Sequence, residues 1–383
     1  MKYCAKGLWN ETIPNINFNS DGVSNFCDLQ ELMMSQYPRG EKGKADWKKI
    51  VNTIKSKRGK SKYDCVVGVS GGVDSSFLLV ILKSEGLNPL AVNLDNGFNS
   101  KIAVQNIFKV TKALDIDLET FVVDYEEMKD ILRSYMKASL PWIDAPTDLA
   151  IKAVMYKVAI KEGIKYIIRG NDFRSEGKQP KEWTYIDNKQ LRFIHKKFGS
   201  GIKLKSYPML SFFTMIYSAF FRRTKDIRPY YYIDYDKDNA KKILSRDYGW
   251  TDYGGHHHEN LFTKFVMAYW LPKKFNIDKR IINLSAQILS GNISREQGMI
   301  QINSPFEDEK ELDDLKTYVS KKLGISTDEF QLIWSRKNKD TFDYPSNYNL
   351  IIKFSITFSY VIKKVFDYKP MAIIEHEVIN QKN

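Results

Sequence analysis

The sequence contains little cysteine and no long apolar run. Its 383 residues include only three cysteines, too few for a disulfide framework, and this scarcity fits a reducing compartment. The first residues lack the apolar centre of a signal peptide. The longest apolar stretch, residues 207–221, is shorter than the roughly 20 residues that a membrane-spanning helix needs. We therefore expect a cytoplasmic protein with no transmembrane span.

Acidic residues are outnumbered by basic ones. The chain has 59 lysines and arginines against 46 aspartates and glutamates, a formal net charge of +13, which favours a polyanionic ligand or partner without indicating a fold. Residues 48–62 are rich in lysine and arginine and contain no acid. This pattern is typical of a solvated helix face, although contact with nucleic acid would produce it as well. The hydrophobic content of 43% excludes a disordered chain.

Apolar runs alternate with helical patterns between residues 63 and 169. Buried parallel strands are uninterrupted apolar runs, and their alternation with helices predicts a parallel sheet. We therefore predict a doubly wound α/β domain with a mainly parallel sheet. Its predicted strands are 63–69, 89–94, 118–123 and 165–169, and its helical segments are 74–85, 101–114 and 125–162.

The alternation is lost after about residue 175. Residues 207–221 predict a helix that is buried, faces a second subunit of a homodimer, or touches a membrane surface. Beyond residue 260 the predicted elements are helices, at 260–271, 279–290, 294–301, 307–323 and 326–333. The predicted division is an irregular N-terminal segment (1–47), an α/β domain (48–240) and a mostly helical region for substrate or partner (241–383).

The most informative motif follows the first predicted strand. It consists of Ser70, Gly71, Gly72, Val73, Asp74, Ser75 and Ser76. Adjacent glycines allow a sharp turn that directs successive backbone N–H groups at one anion, and the N-terminus of the following helix favours the same anion. The spacing is neither that of a Walker loop nor that of a dinucleotide-binding turn. We expect the loop to bind a pyrophosphate group.

This motif resembles the PP-loop of the ATP-pyrophosphatases, which have the adenine nucleotide α-hydrolase-like fold. The resemblance implies that the chain cleaves ATP to AMP and pyrophosphate, with Mg²⁺ held by Asp74. It also implies nucleotide contacts after the second and fourth strands, because ligands of open α/β sheets bind at the carboxyl ends of the strands. The residues implied are Leu94, Asp95, Asn96 and Gly97 for the adenine, and Gly170 and Asn171 beside the nucleotide.

Further segments are similar to the N-acetyl sugar amidotransferases. They are residues 12–18, 21–23, 96–100, 171–177, 254–259 and 284–296. Members of this family convert a sugar acetamido group to an acetamidino group during synthesis of surface polysaccharide, such as lipopolysaccharide, or of nonulosonic acids. The resemblance implies a sugar or sugar-nucleotide substrate. The residues implied in binding it are Asn99, Asp172, Arg174, Glu176 and His256.

Catalytic candidates lie in two further places. Asp148 follows a proline at the start of a predicted helix, where it would hold metal or substrate, or only cap the helix. His257, His258 and Glu259 follow two glycines, and we favour substrate contact or general acid–base catalysis over a purely structural role for them. With Asp74, these residues make up the predicted catalytic set.

Members of the amidotransferase family often carry two Cys-x-x-Cys pairs near the N-terminus, spaced to hold zinc. Here Cys4 and Cys27 are present, whereas Gly7 and Ser24 stand where the other two cysteines would be. Four thiolates make a strong zinc site and two do not. We therefore expect no structural zinc in this degenerate, ribbon-like segment.

Three functions remain open from the sequence. The first is an ATP-dependent amidotransferase that receives ammonia from a separate glutaminase partner, because no glutaminase site is visible; such an enzyme would not need nucleic acid. The second is a PP-loop enzyme of tRNA modification, of the thiouridine or lysidine synthase type, which the basic charge favours. The third is a non-catalytic, nucleotide-binding scaffold. The resemblance to the amidotransferases favours the first.

Overall fold

The fold is built on a parallel sheet. The computed structural model describes residues 2–254, 259–357, 375 and 378–379. The strands in these residues are β1 (Cys65–Gly68), β2 (Pro89–Asp95), β3 (Leu118–Val122), β4 (Tyr166–Ile168) and β5 (Lys225–Ile227). They lie in the order β3-β2-β1-β4-β5, and every adjacent pair is parallel. The predicted doubly wound α/β fold is confirmed.

Helices surround the sheet and form most of the C-terminal region. In chain order the α-helices of the described residues are α1 (Asn25–Gln36), α2 (Gly40–Ser56), α3 (Val73–Ser84), α4 (Lys101–Ala113), α5 (Tyr125–Ala138), α6 (Ala145–Lys161), α7 (Phe173–Glu176), α8 (Lys181–Thr184), α9 (Asn188–Phe198), α10 (Phe212–Ile216), α11 (Lys237–Tyr248), α12 (Leu261–Phe265), α13 (Arg280–Leu289), α14 (Arg295–Asn303), α15 (Glu309–Leu323), α16 (Thr327–Trp334) and α17 (Tyr348–Thr357). Short 3₁₀ turns lie at Pro229–Tyr231 and Thr341–Asp343, and π-helical segments at Tyr217–Phe221 and Val266–Phe275.

The continuous apolar character of β1 follows from its burial on both faces. Successive strand residues point to opposite faces, so Val66 packs among residues of α6 while Val67 packs among residues of α3 and α4. Both valines are fully buried. Burial of side chains on both faces is the physical reason that these strands contain uninterrupted apolar runs rather than an alternating pattern.

The prediction that residues 1–47 are irregular is wrong for much of this segment. Ser24 caps α1, because its hydroxyl accepts a hydrogen bond from the Cys27 N–H, and such a cap stabilises a helix start. The inner side of α1 is buried, and α2 begins at Gly40, eight residues before the basic segment in which a helix was expected. The N-terminal segment packs against the C-terminal region: the Leu8 N–H donates to Ser285 Oγ at 2.8 Å.

A fifth strand follows the point where the sequence alternation is lost. Strand β5 has only three residues and pairs with β4 in register from Tyr166 opposite Lys225 to Ile168 opposite Ile227. Its sequence, Lys-Asp-Ile, has no apolar run, because β5 is an edge strand of the sheet formed by the described residues and is only partly buried. An apolar-run criterion therefore cannot detect it.

The helix predicted at 207–221 is shorter than expected. Backbone N–H groups of Lys205 and Tyr207 donate to the carboxylate of Glu127, each at 2.8 Å, so this part of the chain is held outside a helix. Helix α10 begins only at Phe212. Tyr207 and Leu210 are buried, whereas Phe213 and Phe221 are 81% and 78% exposed, and contact with a second subunit or a membrane surface stays a prediction for the exposed part.

The helices predicted beyond residue 260 are confirmed at 280–289, 295–303, 309–323 and 327–334. The helix predicted at 260–271 begins as α12 and continues as a π-helical segment to Phe275, with Pro272 inside it. No helix in the described part of the chain combines the length and the apolar content that crossing a membrane requires.

Candidate active site

The glycine-rich loop after β1 closes on itself through its two serines. The Ser70 N–H donates to Ser75 Oγ at 3.2 Å, and the Gly72 N–H donates to Ser70 Oγ at 3.3 Å. Ser75 Oγ in turn lies 3.2 Å from the Gly72 carbonyl oxygen. The serine hydroxyls therefore shape the turn as well as line it, and α3 starts immediately after it at Val73.

Only glycine fits at Gly71. Its φ is +81°, in the left-handed region, and a β-carbon there would stand 2.2 Å from the carbonyl oxygen of Ala103 on α4. The Gly71 carbonyl is held by the indole N–H of Trp250 at 2.9 Å. Close contact on one side and a hydrogen bond on the other fix the loop between α4 and the segment after α11.

Asp74 lies in the first turn of α3 and faces hydrogen-bond donors from the segment after β5. The Tyr235 hydroxyl donates to Asp74 Oδ1 at 2.5 Å, and Lys237 Nζ lies 3.3 Å from Oδ2. The Tyr230 hydroxyl donates to the Asp74 carbonyl at 2.7 Å. Burial and the nearby Asp74 carboxylate raise the pKa of Tyr235, so this hydroxyl stays protonated as a donor at neutral pH.

The residues fit a magnesium ion held chiefly by a nucleotide. Mg²⁺ is commonly bound by one or two carboxylates together with substrate phosphates and water. Asp74 supplies one carboxylate at the N-terminus of α3 and is partly exposed. Among residues 2–254 and 259–357, no group of three or more His, Cys, Asp or Glu side chains is placed to hold a metal. Asp74 would thus hold Mg²⁺ only with phosphate oxygens as further ligands.

Glu259 lies beside the glycine-rich loop. One of its carboxylate oxygens is 3.6 Å, and the Tyr253 hydroxyl 3.1 Å, from the point that a β-carbon on Gly72 would occupy. Burial first, and then Glu259 and Asp74, raise the pKa of Tyr253. The structure therefore brings two predicted catalytic carboxylates to one place, on either side of a protonated tyrosine.

The segment after β2 turns around a buried asparagine. Asn96 is 1% exposed, accepts hydrogen bonds at Oδ1 from the Phe98 N–H and from Asn260 Nδ2, and donates to Thr147 Oγ1 at 3.1 Å. Its side chain links the loop to α6 and to the residue before α12. Because the amide of the Asn96 side chain already has protein partners, the backbone would make the adenine contact predicted at this position.

The other residues predicted after β2 also have partners within the turn. Asp95 Oδ1 accepts from the Gly97 N–H at 2.8 Å, and Gly97 has a φ of +84°. Asn99 donates to the Leu94 carbonyl at 3.2 Å and accepts from Asn260 at the same distance. These contacts shape the turn, and the predicted roles of Leu94 to Gly97 in adenine binding and of Asn99 in sugar binding stay predictions.

The segment after β4 approaches the start of α3 closely. A β-carbon on Gly170 would lie 3.4 Å from the carbonyl carbon and oxygen of Asp74 and 3.5 Å from the Ser75 nitrogen. The next residue, Asn171, is exposed and donates to Glu176 Oε2 at 3.1 Å. Gly170 and Asn171 therefore lie at the same edge of the sheet as the glycine-rich loop, as predicted.

Asp172 and Arg174 are engaged in protein contacts. Asp172 is buried and forms an ion pair with Arg39 at 3.0 Å. The guanidinium of Arg174 donates to the carbonyls of Tyr231, at 3.1 Å, and Tyr37. These two side chains tie the segment after β4 to the N-terminal segment and to the segment after β5. The polar atoms named here already have protein partners. The substrate contacts predicted for Asp172 and Arg174 stay predictions.

A buried lysine, Lys279, lies near enough to Asp148 and Glu176 for their charges to affect its pKa, and it is 9% exposed. Burial lowers the pKa of Lys279 to about 8, although Asp148 and Glu176 oppose this shift. The ammonium stands 3.6 Å from the centre of the Trp142 ring, a cation–π distance. Trp142 also donates its indole N–H to Asp148 Oδ2 at 2.8 Å. The Trp142 ring therefore links the predicted site residue Asp148 to a buried ammonium.

The alternative role of Asp148 as a helix cap is wrong. Helix α6 begins at Ala145, with Asp144 at the cap position, so Asp148 lies inside the first turn and a half of the helix. Its carboxylate bonds to Trp142 instead. Lys279 itself was not predicted, because a single lysine at the start of α13 carries no signal in the sequence.

Cys4 and Cys27 lie close together in the N-terminal core, and both are fully buried. Hydrogen bonding to Cys27, and then to Ser24, lowers the pKa of Cys4, although burial opposes the shift. At the positions of the two missing cysteines, Ser24 caps α1, and a β-carbon on Gly7 would stand 2.7 Å from the Trp9 ring. The expectation of no structural zinc stays a prediction.

A cleft of about 710 Å³ lies beside Asp74. Its lining includes Met34, Arg39, Phe77, Arg174 and Tyr235. Tyr235 separates this cleft from the glycine-rich loop by its hydrogen bond to Asp74. The serines and glycines of the loop are not among the residues that line the cleft.

Three predicted residues fall outside the described part of the chain. They are His256, with a predicted role in substrate binding, and His257 and His258, with predicted catalytic roles.

The strand order and this loop together define an open α/β sheet with a candidate ligand site at its switch point. In the sheet order β3-β2-β1-β4-β5, the connections reverse direction between β1 and β4, and ligands bind at such a switch point. The glycine-rich loop follows β1 and Gly170 follows β4. Both parts of the predicted nucleotide site therefore lie at that point.

Comparison with known proteins agrees with the resemblance drawn from the sequence. Residues 259–356 match the family described as "LPS biosynthesis protein WbpG-like, C-terminal domain". The chain is 34% identical to an uncharacterized protein from Methanocaldococcus jannaschii over 159 aligned residues. These residues make up 41% of this chain and 54% of that protein. The chain thus spans about half the length of the curated relative that it matches.

Solved structures of two synthetases share weaker similarity. NMN synthetase from Francisella tularensis is 15% identical, with 74% of this chain and 94% of that chain covered and a TM-score of 0.32. NH3-dependent NAD synthetase from Campylobacter jejuni is 14% identical, with 76% and 97% covered and a TM-score of 0.31. Similarity this low carries no argument about activity, and the fold assignment depends on the strand order of the chain itself.

Substitution of Gly71 tests the phosphate loop. We expect Gly71→Ala to weaken ATP binding at least about tenfold, because the added methyl group must displace the loop from the Ala103 carbonyl; tenfold corresponds to about 1.4 kcal/mol. Gly163→Ala is the matched control, since Gly163 also has a positive φ but no atom within 4 Å of its β-carbon position. ATP affinity is measured by isothermal titration calorimetry. Equal affinities for the two variants would contradict the assignment.

Lys279 predicts a pH dependence of stability. Below about pH 8 the ammonium is charged in both folded and unfolded chains. Between about 8 and its ordinary pKa of 10.5, the unfolded chain holds a proton that the folded chain has released. The free energy of unfolding therefore gains a positive contribution as pH rises through this interval.

We expect Lys279→Met to remove that contribution, so that its free energy of unfolding rises less, or falls more, between pH 7.5 and 10 than that of the wild type. Urea unfolding followed by circular dichroism measures the difference. Lys310→Met is the control, because Lys310 is exposed. Parallel curves for wild type and Lys279→Met would show that the buried ammonium does not titrate in this range.

Proposed function

We propose that the chain is an ATP-dependent amidotransferase that converts the acetamido group of a sugar to an acetamidino group. One observation carries the proposal: Glu259, the first residue of the WbpG-like segment, lies beside Gly72 of the phosphate loop. The Ser100 N–H also donates to the Glu259 carbonyl at 2.8 Å. The segment that matches the WbpG-like family therefore contributes a carboxylate beside the glycine-rich loop, which supports a shared site.

The chemistry requires activation of a poor electrophile. The amide oxygen of the acetamido group attacks the α-phosphorus of ATP, and the bond to the β-phosphate oxygen breaks, which releases pyrophosphate and leaves an O-adenylyl imidate. Ammonia then adds to the imidate carbon, AMP leaves with the former amide oxygen, and loss of a proton gives the amidine. Both steps separate charge, so preorganised donors at the phosphates lower their barriers.

The residues of the site have distinct tasks in this proposal. Backbone N–H groups of the glycine-rich loop, with the Ser70 and Ser75 hydroxyls, bind the departing pyrophosphate at the start of α3. Asp74 would hold Mg²⁺, which would neutralise negative charge on the phosphates. Glu259 lies near enough to the loop to accept a proton from the attacking ammonia, and Tyr253 beside it holds its own proton.

Ammonia is proposed to come from a separate glutaminase partner, as expected from the sequence. The sugar substrate would be a precursor of a surface polysaccharide, because the description of the matched family names lipopolysaccharide (LPS) biosynthesis.

Transfer RNA modification is the main alternative. The basic charge that favours it in the sequence is partly neutralised by acidic side chains in the folded chain. Part of the basic charge of α2 is paired with acids: Lys48 lies 3.4 Å from Glu85, and Lys49 lies 3.1 Å from Asp46. These are surface pairs of small energy, but they reduce the positive potential that a nucleic acid would meet. The activity test therefore includes tRNA as a substrate.

The activity test follows AMP and pyrophosphate release by mass spectrometry. The protein is incubated with Mg·ATP, ammonium and a panel of free and nucleotide-linked acetamido sugars. We expect AMP release that depends on one class of sugar, with a product in which one oxygen is replaced by NH. Asp74→Asn should lower the rate at least about 100-fold through lost stabilisation of charge at the phosphates.

Asp313→Asn serves as the control, because Asp313 is an exposed residue of α15 that pairs only with the nearby Lys316 among the described ion pairs. Release of AMP with tRNA and with no sugar would establish the tRNA-modifying alternative. ATP binding without turnover on any substrate, even with ammonium at high concentration, would favour the scaffold.

A further inference from the structure

A group of basic side chains lines the carboxyl ends of β4 and β5. Arg169 follows β4, and its Nε donates to Asp226 Oδ2 at 2.7 Å. Arg228 follows β5, and its Nη1 lies 3.5 Å from the other oxygen of the same carboxylate. Two guanidinium groups thus share one aspartate, which leaves an excess of positive charge beside the nucleotide site.

Lys152 projects into the same region from α6. It lies four residues after Asp148, on the same face of the helix, and it makes no ion pair with another described residue. Its side chain is accessible to solvent, yet desolvation, and then the neighbouring Arg169, lower its pKa. The Lys152 ammonium therefore lies among like charges while its side chain remains open to solvent.

Lys178, between α7 and α8, and Lys181, the first residue of α8, extend this group of basic side chains. Lys181 is near enough to Lys152, and Arg228 near enough to Lys178, to lower their pKa values. Together with Arg169, these side chains form what we call the basic recess: Lys152, Arg169, Lys178, Lys181 and Arg228. Such a concentration of like charge is unfavourable unless an anion offsets it.

One anion is already present in the chain. The two carboxylate oxygens of Glu375 lie 2.5 Å from Lys178 Nζ and 3.0 Å from Lys181 Nζ, and Glu375 is only 12% exposed. Although burial alone would raise it, the two lysines lower the pKa of Glu375, so the side chain is present as a carboxylate. The contact shows which chemistry the recess accepts, namely an anionic oxygen group between two ammonium groups.

We propose that the basic recess binds an anionic group of the sugar substrate, and that Glu375 occupies this position until the substrate displaces it. The anionic group is either the diphosphate of a sugar nucleotide or the carboxylate of an acidic sugar. The inference rests on the proposed function, because it places the anion of the same substrate whose acetamido group is adenylated.

The position of the recess supports this assignment. Arg169 adjoins Gly170, on which a β-carbon would lie 3.4 Å from the carbonyl carbon and oxygen of Asp74 at the start of α3. Asp148, on the same face of α6 as Lys152, accepts a hydrogen bond from Trp142 at 2.8 Å, and the centre of the Trp142 ring lies 3.6 Å from the Lys279 ammonium. A substrate anchored by its anion in the recess therefore extends along residues that border the nucleotide. A neutral sugar would gain nothing from the five cations.

Equilibrium binding tests the proposal without requiring turnover. Isothermal titration calorimetry on the full chain compares UDP-N-acetylglucosamine, N-acetylneuraminate and neutral N-acetylglucosamine, with a non-hydrolysable ATP analogue bound. Lys178→Met should weaken binding of the anionic probe about tenfold or more, as expected for the loss of one charge-assisted contact. Glu375→Gln should strengthen it several-fold, because the competing carboxylate is removed. The two probes distinguish diphosphate from carboxylate.

Lys310→Met is the control for loss of a positive charge at an exposed position outside the recess, and melting temperatures confirm that each variant is folded. Unchanged affinity in Lys178→Met, weaker binding in Glu375→Gln, or no binding of either anionic probe to any of the proteins would overturn the proposal. Anion binding with these opposite shifts, but no AMP release on any acetamido sugar, would retain the recess and reject the proposed function. Sugar-dependent AMP release that is insensitive to Lys178→Met would retain the proposed function and reject the basic recess as the substrate's anion site.

Discussion

The close approach of three backbone segments at the switch point between β1 and β4 determines the rest of the site. Gly71 packs against the Ala103 carbonyl, and Gly170 packs against the first turn of α3. A β-carbon on Gly71 would lie 2.2 Å from that carbonyl oxygen and would force the backbone to move, whereas one on Gly170 would make ordinary van der Waals contacts at 3.4 Å. Because the backbone is this close, the N–H groups of the loop and the N-terminus of α3 can be directed at one phosphate group.

This constraint explains why residues far apart in sequence gather around one loop. Trp250, 179 positions after Gly71, holds the Gly71 carbonyl, and Tyr235 holds the Asp74 carboxylate. Both belong to the chain that follows β5. Glu259 reaches Gly72 from the start of the WbpG-like segment. The helical C-terminal region therefore contributes to the site as well as to the core, and the N-terminal segment packs on it through Leu8 and Ser285.

Much of the α/β domain could be predicted from the sequence, because its signals are local. Buried strands such as β1 and β2 contain apolar runs, and the helix start after Gly72 follows a glycine pair. Strand β5 could not be predicted, since an edge strand of sequence Lys-Asp-Ile has no such run. Helix α1 was missed because its only local signals are the Ser24 cap and a weakly amphipathic pattern.

The site was predictable to a different extent. The glycine-rich loop and Asp74 could be proposed because they form a contiguous motif, and Gly170 because it follows a predicted strand; their ligand contacts stay predictions. Lys279, Lys152 and Lys178 could not be proposed, because each is an ordinary lysine in sequence and gains its properties only from neighbours brought by folding. Asn96, Asp172 and Arg174 show the converse. Their place in a resemblance motif suggested ligand contacts, whereas in the folded chain their side chains bond to other parts of the protein.

Oxygen transfer tests the central claim most directly. The protein is given Mg·ATP, ammonium and the acetamido sugar whose acetyl oxygen is ¹⁸O, and the AMP is examined by mass spectrometry. If the amide oxygen attacks the α-phosphorus, each AMP carries one ¹⁸O atom and the pyrophosphate carries none. Unlabelled AMP formed alongside the amidine, or label in pyrophosphate or orthophosphate, would contradict adenylation of the amide oxygen and with it the role assigned to the PP-loop.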